Sequence, residues 1–370
     1  MKNSKICIIG NGLSGLTLAN VLKNLNIDID LYYSNKNSKN IQDKRTTAIS
    51  HSNYNFLNKI IGGLKPNIFW PNKKINLFFE YDGKFNNFLN FDDKKNILYV
   101  FENLKFKSLL TKLLKDKKVN FISKNIKTIN DLKEKYDLKV LCLGNNSNLY
   151  ESLTNNRSIN KDYKEISVVG YVKHSENCIN AKQYFLHEGP LAILPFSKKE
   201  FSFVWSIEKN FFLNNKNKLE KLILEKLKIF LNTKKNLSIY SVQHFPIKLD
   251  LKVKYYKKNL LILGEGLHSV HPLAGQGFNL VIRDIKKLYE IIDYNLKLGL
   301  DLKNSSVLQK FYEQRKPENI LLGMGIDFTH TFFKKNKYTN PLKNLLLKNI
   351  GNNEKIKSFS RFVADKGIYN

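Results

Sequence analysis

Two glycine-bearing stretches carry residue types and spacings suited to holding an anion. The first is Gly10-Asn11-Gly12-Leu13-Ser14-Gly15. In this GxGxxG spacing the first glycine makes a tight turn, the second lets backbone approach a pyrophosphate, and the third packs helix on strand. The second stretch runs from Gly264-Glu265-Gly266 through His268, His271 and Pro272 to Gly275-Gln276-Gly277-Phe278-Asn279. There, backbone N–H groups and the positive end of a helix dipole would stabilise negative charge. His268 and His271 stand three apart, as metal ligands can, but no Cys or carboxylate set completes a site, so no metal is expected. Between the two lies Gln42-Asp43-Lys44-Arg45, followed by Thr46, Thr47 and Ala48. An arginine in so lysine-rich a chain suggests a fork-shaped donor for a phosphate, the alternative being a solvated side chain.

These residues need elements to hold them. Residues 5–9 (KICII) form an apolar run before Gly10, and Leu16, Ala19, Leu22 and Leu25 recur on one side after Gly15. With residues 27–33 as the next strand, the opening reads as a βαβ unit, the setting that GxGxxG requires. An acidic residue about 20 positions on normally bonds the adenosine ribose. Tyr33 stands there instead, with Ser34 next and Asp30 three residues earlier on the other face. A hydroxyl bonds a ribose less strongly than a carboxylate does. Residues 102–114 read as an amphipathic helix and 137–143 as a buried strand ending in a glycine turn. From 166 to 245 the texture changes to alternating strands at 166–172, 183–186, 191–194 and 201–207, then a Lys-rich helix at 219–231. That predicts a separate, largely antiparallel layer as the candidate substrate domain, with Trp205 in its core. Residues 260–263 are a further buried strand, and Phe278, Val281, Ile282, Ile285, Leu288 and Ile291 form the apolar side of a following helix.

A chain of 370 residues suits about two domains. Its 62 Lys plus Arg against 32 Asp plus Glu give a net charge of +30, which by itself would suit nucleic acid or an anionic membrane. Only Arg45, Arg157, Arg283, Arg315 and Arg361 are arginine, and lysine is spread over every segment with Asn and Ile. This is a compositional drift, with neither an arginine-rich stripe nor a nucleic-acid motif. Attraction to anionic lipid, screened within roughly 8 Å at physiological salt, is compatible with it. There is no run of about 18 uncharged apolar residues and no secretory signal. Cys7, Cys142 and Cys178 make no disulfide framework. A cytoplasmic location is expected.

A reduced flavin, whose charge develops at N1 and O2, is a sensible occupant for the turn at residues 275–279. With that, the chain resembles the class A FAD-dependent aromatic monooxygenases, and among them the ubiquinone-biosynthesis hydroxylases. The resemblance rests on residues 10–15, Asp43-x-Arg45 followed by TTAIS, and Glu102-Asn103. It continues through residues 189–195 (GPLAILP) with Val204-Trp205-Ser206, then Phe245-Pro246, residues 264–284, and residues 311–315 (FYEQR). It implies an α/β fold: a Rossmann-like, para-hydroxybenzoate hydroxylase-like FAD-binding domain (1–75, 98–160 and 256–335), an inserted, mostly antiparallel substrate domain (76–97 and 161–255), and a C-terminal helical segment (336–370). It also implies hydroxylation of a polyprenylated phenol by O2 through a flavin C4a-hydroperoxide. On this analogy Gly10, Gly12, Leu13, Ser14 and Gly15 cradle the pyrophosphate, Tyr33 stands at the ribose, Arg45 contacts FAD near the domain junction, and Glu265 bonds the ribityl chain. Pro272, Gly275 and Gln276 lie near the flavin, and backbone at Gly277, Phe278 and Asn279 faces its pyrimidine edge. No side chain stands out as a general base, because a phenol activates its own ring.

The chain departs from the family at three nucleotide-contacting positions. Glu265 replaces an aspartate, Tyr33 replaces the ribose acid, and Leu143 replaces the aspartate of a central Asp-Gly motif, whose Gly144 and Ser147 are kept. The electron donor is therefore open between NAD(P)H and another reductant. Two other readings stand beside the hydroxylase: a non-catalytic or weakly active flavin-fold scaffold in a quinone-biosynthesis complex, and a flavin hydroxylase for another aromatic substrate. Residues 342–350 (LKNLLLKNI) have two readings. They form an interfacial helix on an anionic bilayer, at the inner face of the cytoplasmic membrane, or a helix packed on the FAD domain or on a second subunit.

Overall fold

In the first layer, short apolar runs bury both faces. A computed structural model describes residues 4–34, 43–114, 119–132, 135–144, 148–150, 153, 157–176, 179–303, 306–334 and 339–368. Gln42, Ser147 and Cys178 lie outside the described residues. The central strand, β1 (Ser4–Ile9), pairs in parallel with β2 (Ile27–Tyr33) on one side and β9 (Leu138–Leu141) on the other. β8 (Val119–Ser123) extends one edge; β16 (Leu260–Ile262) and the short antiparallel β15 (Tyr256–Lys257) extend the other. The strand order reverses between β1 and β9, where an open α/β sheet places its ligand crevice. Helix α1 (Leu13–Leu22) covers this sheet, and buried Asn20 donates to Leu16 O and Leu110 O, tying α1 to α3 (Asn103–Leu114).

A three-stranded sheet joins the layers: β3 (Thr46–Ser50), β7 (Leu98–Glu102) and β4 (Trp70–Asn72). Helix α2 (His51–Ile61) follows β3.

The second layer is an eight-stranded sheet. It contains β5 (Lys74–Tyr81), β6 (Lys84–Asp92), β10 (Ser158–Lys173), β11 (Ala181–Leu186), β12 (Gly189–Pro195), β13 (Glu200–Glu208), β14 (Ser238–Lys252) and β17 (His268–Ser269). All pairings are antiparallel except β11 with β5. Helices α4 (Lys209–Asn215) and α5 (Leu219–Leu231) back the sheet, and Trp205 is fully buried there. β17 lies within the range assigned to the FAD-binding domain, yet it pairs with β14 of this second sheet.

Helices α6 (Gln276–Lys297) and α7 (Ser306–Phe333) complete the first layer. Two more follow, α8 (Asn340–Asn352) and α9 (Glu354–Lys366). Residues 342–350 thus fall in α8, which packs on β5 and β6 of the second sheet and also touches Leu273 and the end of α7, within the range assigned to the FAD-binding domain. Leu347 is buried with Phe79, Phe88, Phe185 and Leu273, and a Cβ on Gly351 would stand 2.1 Å from Phe88 O. α9 returns to the first domain: Asp365 accepts from Ser52 N and Ser52 Oγ, both at 2.8 Å. Among the described residues no helix is long and apolar enough to cross a membrane.

Candidate active site

The turn after β1 depends on glycine at two of its three positions. Gly10 has φ +118°, and a Cβ there would meet Cys142 O at 2.2 Å; a Cβ on Gly15 would meet Gly10 O at 1.9 Å. At Gly12 a Cβ would meet nothing within 4 Å, so this side of the turn is open, and it faces a cleft. No side chain caps α1 at Gly12, which leaves first-turn N–H groups for a bound anion. An open turn ahead of an uncapped helix at the switch point fits the pyrophosphate of a dinucleotide.

The cleft encloses about 640 Å³ between the two layers, within the usual range for cofactor and ligand sites. Of the residues singled out in the sequence, Gly12, Leu13, Ser14, Arg45, Glu265, Pro272, Gly275, Gly277 and Phe278 line it. Gly10 and Gly15 shape the turn from behind.

Three others stand off the cleft wall. Tyr33, expected at a ribose, ends β2 and packs edge-on against Phe121. Gln276 opens α6 without lining the cleft. Asn279, expected beside a flavin, is buried and binds protein: its Nδ2 donates to Ala48 O and Gly275 O, and its Oδ1 accepts from Ser50 N at 2.8 Å and Asn53 Nδ2 at 2.7 Å. The side chain therefore fastens the loop to β3. Asp30 does lie away from the cleft, accepting from Tyr136 Oη, Asn120 Nδ2 and the Lys5 ammonium.

Glu265 arrives through close packing. Gly264, at φ +90°, lies so near α1 that a Cβ would meet Ser14 Oγ at 2.7 Å. This contact sets the exposed Glu265 side chain beside the dinucleotide turn. At Leu143, where the resemblance expects an aspartate, the backbone N–H donates to Tyr150 Oη at 3.0 Å, and the side chain packs on the first-layer core.

Arg45 is a fork, engaged on one side. Its Nε and Nη2 donate to Asp43 at 2.7 and 2.9 Å, and its guanidinium lies 4.9 Å over the Phe245 ring. Asn103 Nδ2 also donates to Asp43, and Thr47 Oγ1 donates to Asn103 Oδ1. Burial disfavours ionised Asp43, but the hydrogen bonds and charge of Arg45 outweigh it and hold the carboxyl below its ordinary range.

The opposite wall comes from the second sheet and is mainly apolar, with Val169, Tyr171, Leu194, Phe203 and Phe245. Its polar residues include Ser167, Gln183, Lys248 and Ser202, the last bonded to Thr46 of β3.

Two buried clusters near the loop escaped the sequence reading. His268 Nε2 donates to Asp284 at 2.6 Å, and Arg315 Nε reaches the other carboxylate oxygen at 2.6 Å. Arg315 also contacts Glu318 and Asn319. His271, unpaired in the sequence, meets Glu165 and His330. The sequence had marked His268, His271 and the blocks 264–284 and 311–315 that hold Asp284 and Arg315, but not their pairing.

A dinucleotide-type α/β layer with an antiparallel sheet closing its cleft is the architecture of the FAD-dependent monooxygenases. A family model described as squalene epoxidase matches residues 135–356, more than half of the chain, and the chain belongs to that family. The chain is 36% identical over 110 residues to a mitochondrial ubiquinone biosynthesis monooxygenase of Dictyostelium discoideum, covering 29% of this chain and 22% of the relative. It is 29% identical over 156 residues to the 3-demethoxyubiquinol 3-hydroxylase of Escherichia coli, covering 42% and 40%. The matched stretches span less than half the length of these curated relatives. Klebsiella pneumoniae HpxO, solved with FAD and uric acid, superposes with a TM-score of 0.74 over 98% of this chain and 97% of its own, at 15% identity, which shows a shared fold.

Proposed function

We propose that the chain is an FAD-dependent monooxygenase that hydroxylates the ring of a polyprenylated phenol in ubiquinone biosynthesis. The observation that carries this reading is a single cleft with a dinucleotide turn at one end and an apolar sheet wall at the other. The names of the curated relatives agree with it. Gly12 and the start of α1 hold the pyrophosphate, Glu265 bonds the ribityl chain, and Arg45 sits at the junction. The uncapped start of α6, at Gln276 and Gly277, offers N–H groups to developing charge. Bound FAD supplies the activation of O2. The protein then has to hold the ring and exclude water. Val169, Tyr171, Leu194, Phe203 and Phe245 keep water out, while Gln183 and the Thr46–Ser202 pair are placed to bond a phenol hydroxyl. The substrate's own hydroxyl activates its ring, so no general base is needed.

A prenyl tail has an apolar continuation at Leu77, which lines the cleft and also packs on the cluster of Phe79, Phe88, Phe185, Leu273 and Leu347. Beyond that cluster Phe328, Leu342 and Leu345 are 71%, 59% and 57% exposed, and Lys348 is exposed on the same helix as the two leucines. This face suits peripheral contact with an anionic membrane, at the inner face of the cytoplasmic membrane, from which a prenylated substrate is taken up.

The test is substrate-dependent oxidation of NAD(P)H or reduced ferredoxin. Detergent-solubilised prenylphenols should accelerate it and yield a hydroxylated ring, and soluble benzoates should not. Hydroxylation of soluble aromatics alone would overturn the substrate assignment.

A further inference from the structure

Around Glu165, on β10, gathers a set of buried ionisable groups that the proposed chemistry does not use. His271 Nε2 lies 3.2 Å from Glu165 Oε2, and His330 Nε2, from α7, lies 3.0 Å from the same oxygen. The Lys334 ammonium, just past the end of α7, lies 3.1 Å from Oε1. Tyr163 stands edge-on to both imidazoles, and Lys161 pairs with Asp327 beside it. Glu165 is only 4% exposed and His271 is fully buried.

Among the described residues, both imidazole Nδ1 atoms are buried without a hydrogen-bond partner. An orphaned buried N–H is rarer than an orphaned acceptor, so each ring is read as carrying its proton on Nε2 and donating it to the carboxylate. Glu165 then accepts from three elements at once: the loop that enters residues 272–278, helix α7, and the ammonium at the open edge. His271 immediately precedes Pro272, the first cleft-lining residue of that loop.

We propose that Glu165 is a positioning residue that clamps the loop of residues 272–278 against the second sheet and α7, and so sets the donors that face the cleft. What the loop serves rests on the flavin reading; the clamp itself does not. Two imidazoles and a carboxylate are also a ligand set for a divalent metal. Here the carboxylate is already paired with the Lys334 ammonium through Oε1, and the Nε2 atoms face the carboxylate as donors.

Hydrogen exchange of the full chain without added cofactor, read in peptides spanning 268–280 and 201–207, tests the clamp. Glu165→Gln and His271→Leu should speed exchange in 268–280 by about tenfold, the loss of one hydrogen bond to a charged group, while 201–207 exchange as in the wild type. His271→Gln should restore protection, because its amide N–H reaches the same carboxylate and a purely space-filling role would be served by leucine. If Glu165→Gln does not fold, Lys334→Met, at a half-exposed position, should still raise loop exchange by about threefold. FAD affinity should fall with loop protection across the series. Loop exchange that responds in a chain that never binds FAD would uphold the clamp and overturn the flavin reading. The clamp is overturned by unchanged exchange in 268–280, by equal loosening of 201–207, by wild-type protection in His271→Leu, or by stoichiometric zinc in the purified protein.

Discussion

Gly15 lies against Gly10 so closely that a Cβ on it would stand 1.9 Å from the Gly10 carbonyl oxygen, while a Cβ on Gly12 would meet nothing. One glycine is therefore needed for packing and the other for space ahead of the cleft. Gly15→Ala must shift backbone and should lose about 1–3 kcal/mol in urea unfolding. Gly12→Ala should stay within about 0.5 kcal/mol of wild type, yet weaken FAD binding about tenfold or more, because its methyl group stands where backbone approaches the pyrophosphate. Equal losses of stability in both variants would contradict this division.

Arg45 holds Asp43 through two nitrogens and Phe245 through its face. Arg45→Lys keeps the charge but loses the fork and the stacking. FAD titration by fluorescence should show affinity reduced about tenfold, near 1.4 kcal/mol, with stability little changed. Unaltered affinity would show that the guanidinium serves only Asp43.

Asp284 is fully buried between His268 and Arg315. Burial raises its pKa, but Arg315 and His268 outweigh that and hold it below 3.8. Its contribution to stability is thus present above about pH 4 and lost as pH falls through the lowered value. Asp284→Asn leaves Arg315 short of its counter-charge and should cost about 3–5 kcal/mol at neutral pH by denaturant unfolding, with a flatter acid limb than wild type.

His271 titrates in a different window. Burial, with help from the charges of His330 and Lys334, lowers its pKa beneath the ordinary 6.5, against the pull of Glu165. The folded protein keeps the ring neutral while the unfolded chain takes up a proton. Stability should therefore fall as pH drops below about 6.5. His271→Gln should flatten the pH 5–6.5 part of the stability curve relative to wild type; an unchanged slope would assign it to other groups.

For the membrane face, wild-type protein should sediment with vesicles containing anionic lipid, and less so as salt rises. Leu342→Glu with Leu345→Glu alters only exposed positions and should cut the bound fraction several-fold while leaving thermal unfolding unchanged. Equal sedimentation would reject this face as the docking surface.

Local signals were legible in the sequence where local physics decides. The glycine turn, the helix at 219–231 and the strand at 27–33 have the bounds that periodicity assigned, because each buries one face defined by near neighbours. Long-range pairings were not legible. Glu165 meets His330 across 165 positions, and Asp284 meets Arg315 across 31; alternation in a strand says nothing about which distant cation will face a buried carboxylate. Asn279 illustrates the same limit, since its motif marks the loop, but only β3 and α2 packed beside it show that its amide is spent on Ser50 and Asn53. The contacts of residues 342–350 were likewise long-range: β6, whose backbone receives Gly351, and Leu273 beside Leu347.

The visible absorption spectrum of the purified protein, with chemical identification of any released cofactor, tests the central claim most directly. The expected result is a flavin spectrum with FAD released, regained when the stripped protein is mixed with FAD, and regained only at higher FAD concentration in Gly12→Ala. A protein that stays colourless with excess FAD would contradict the monooxygenase reading and favour the scaffold role.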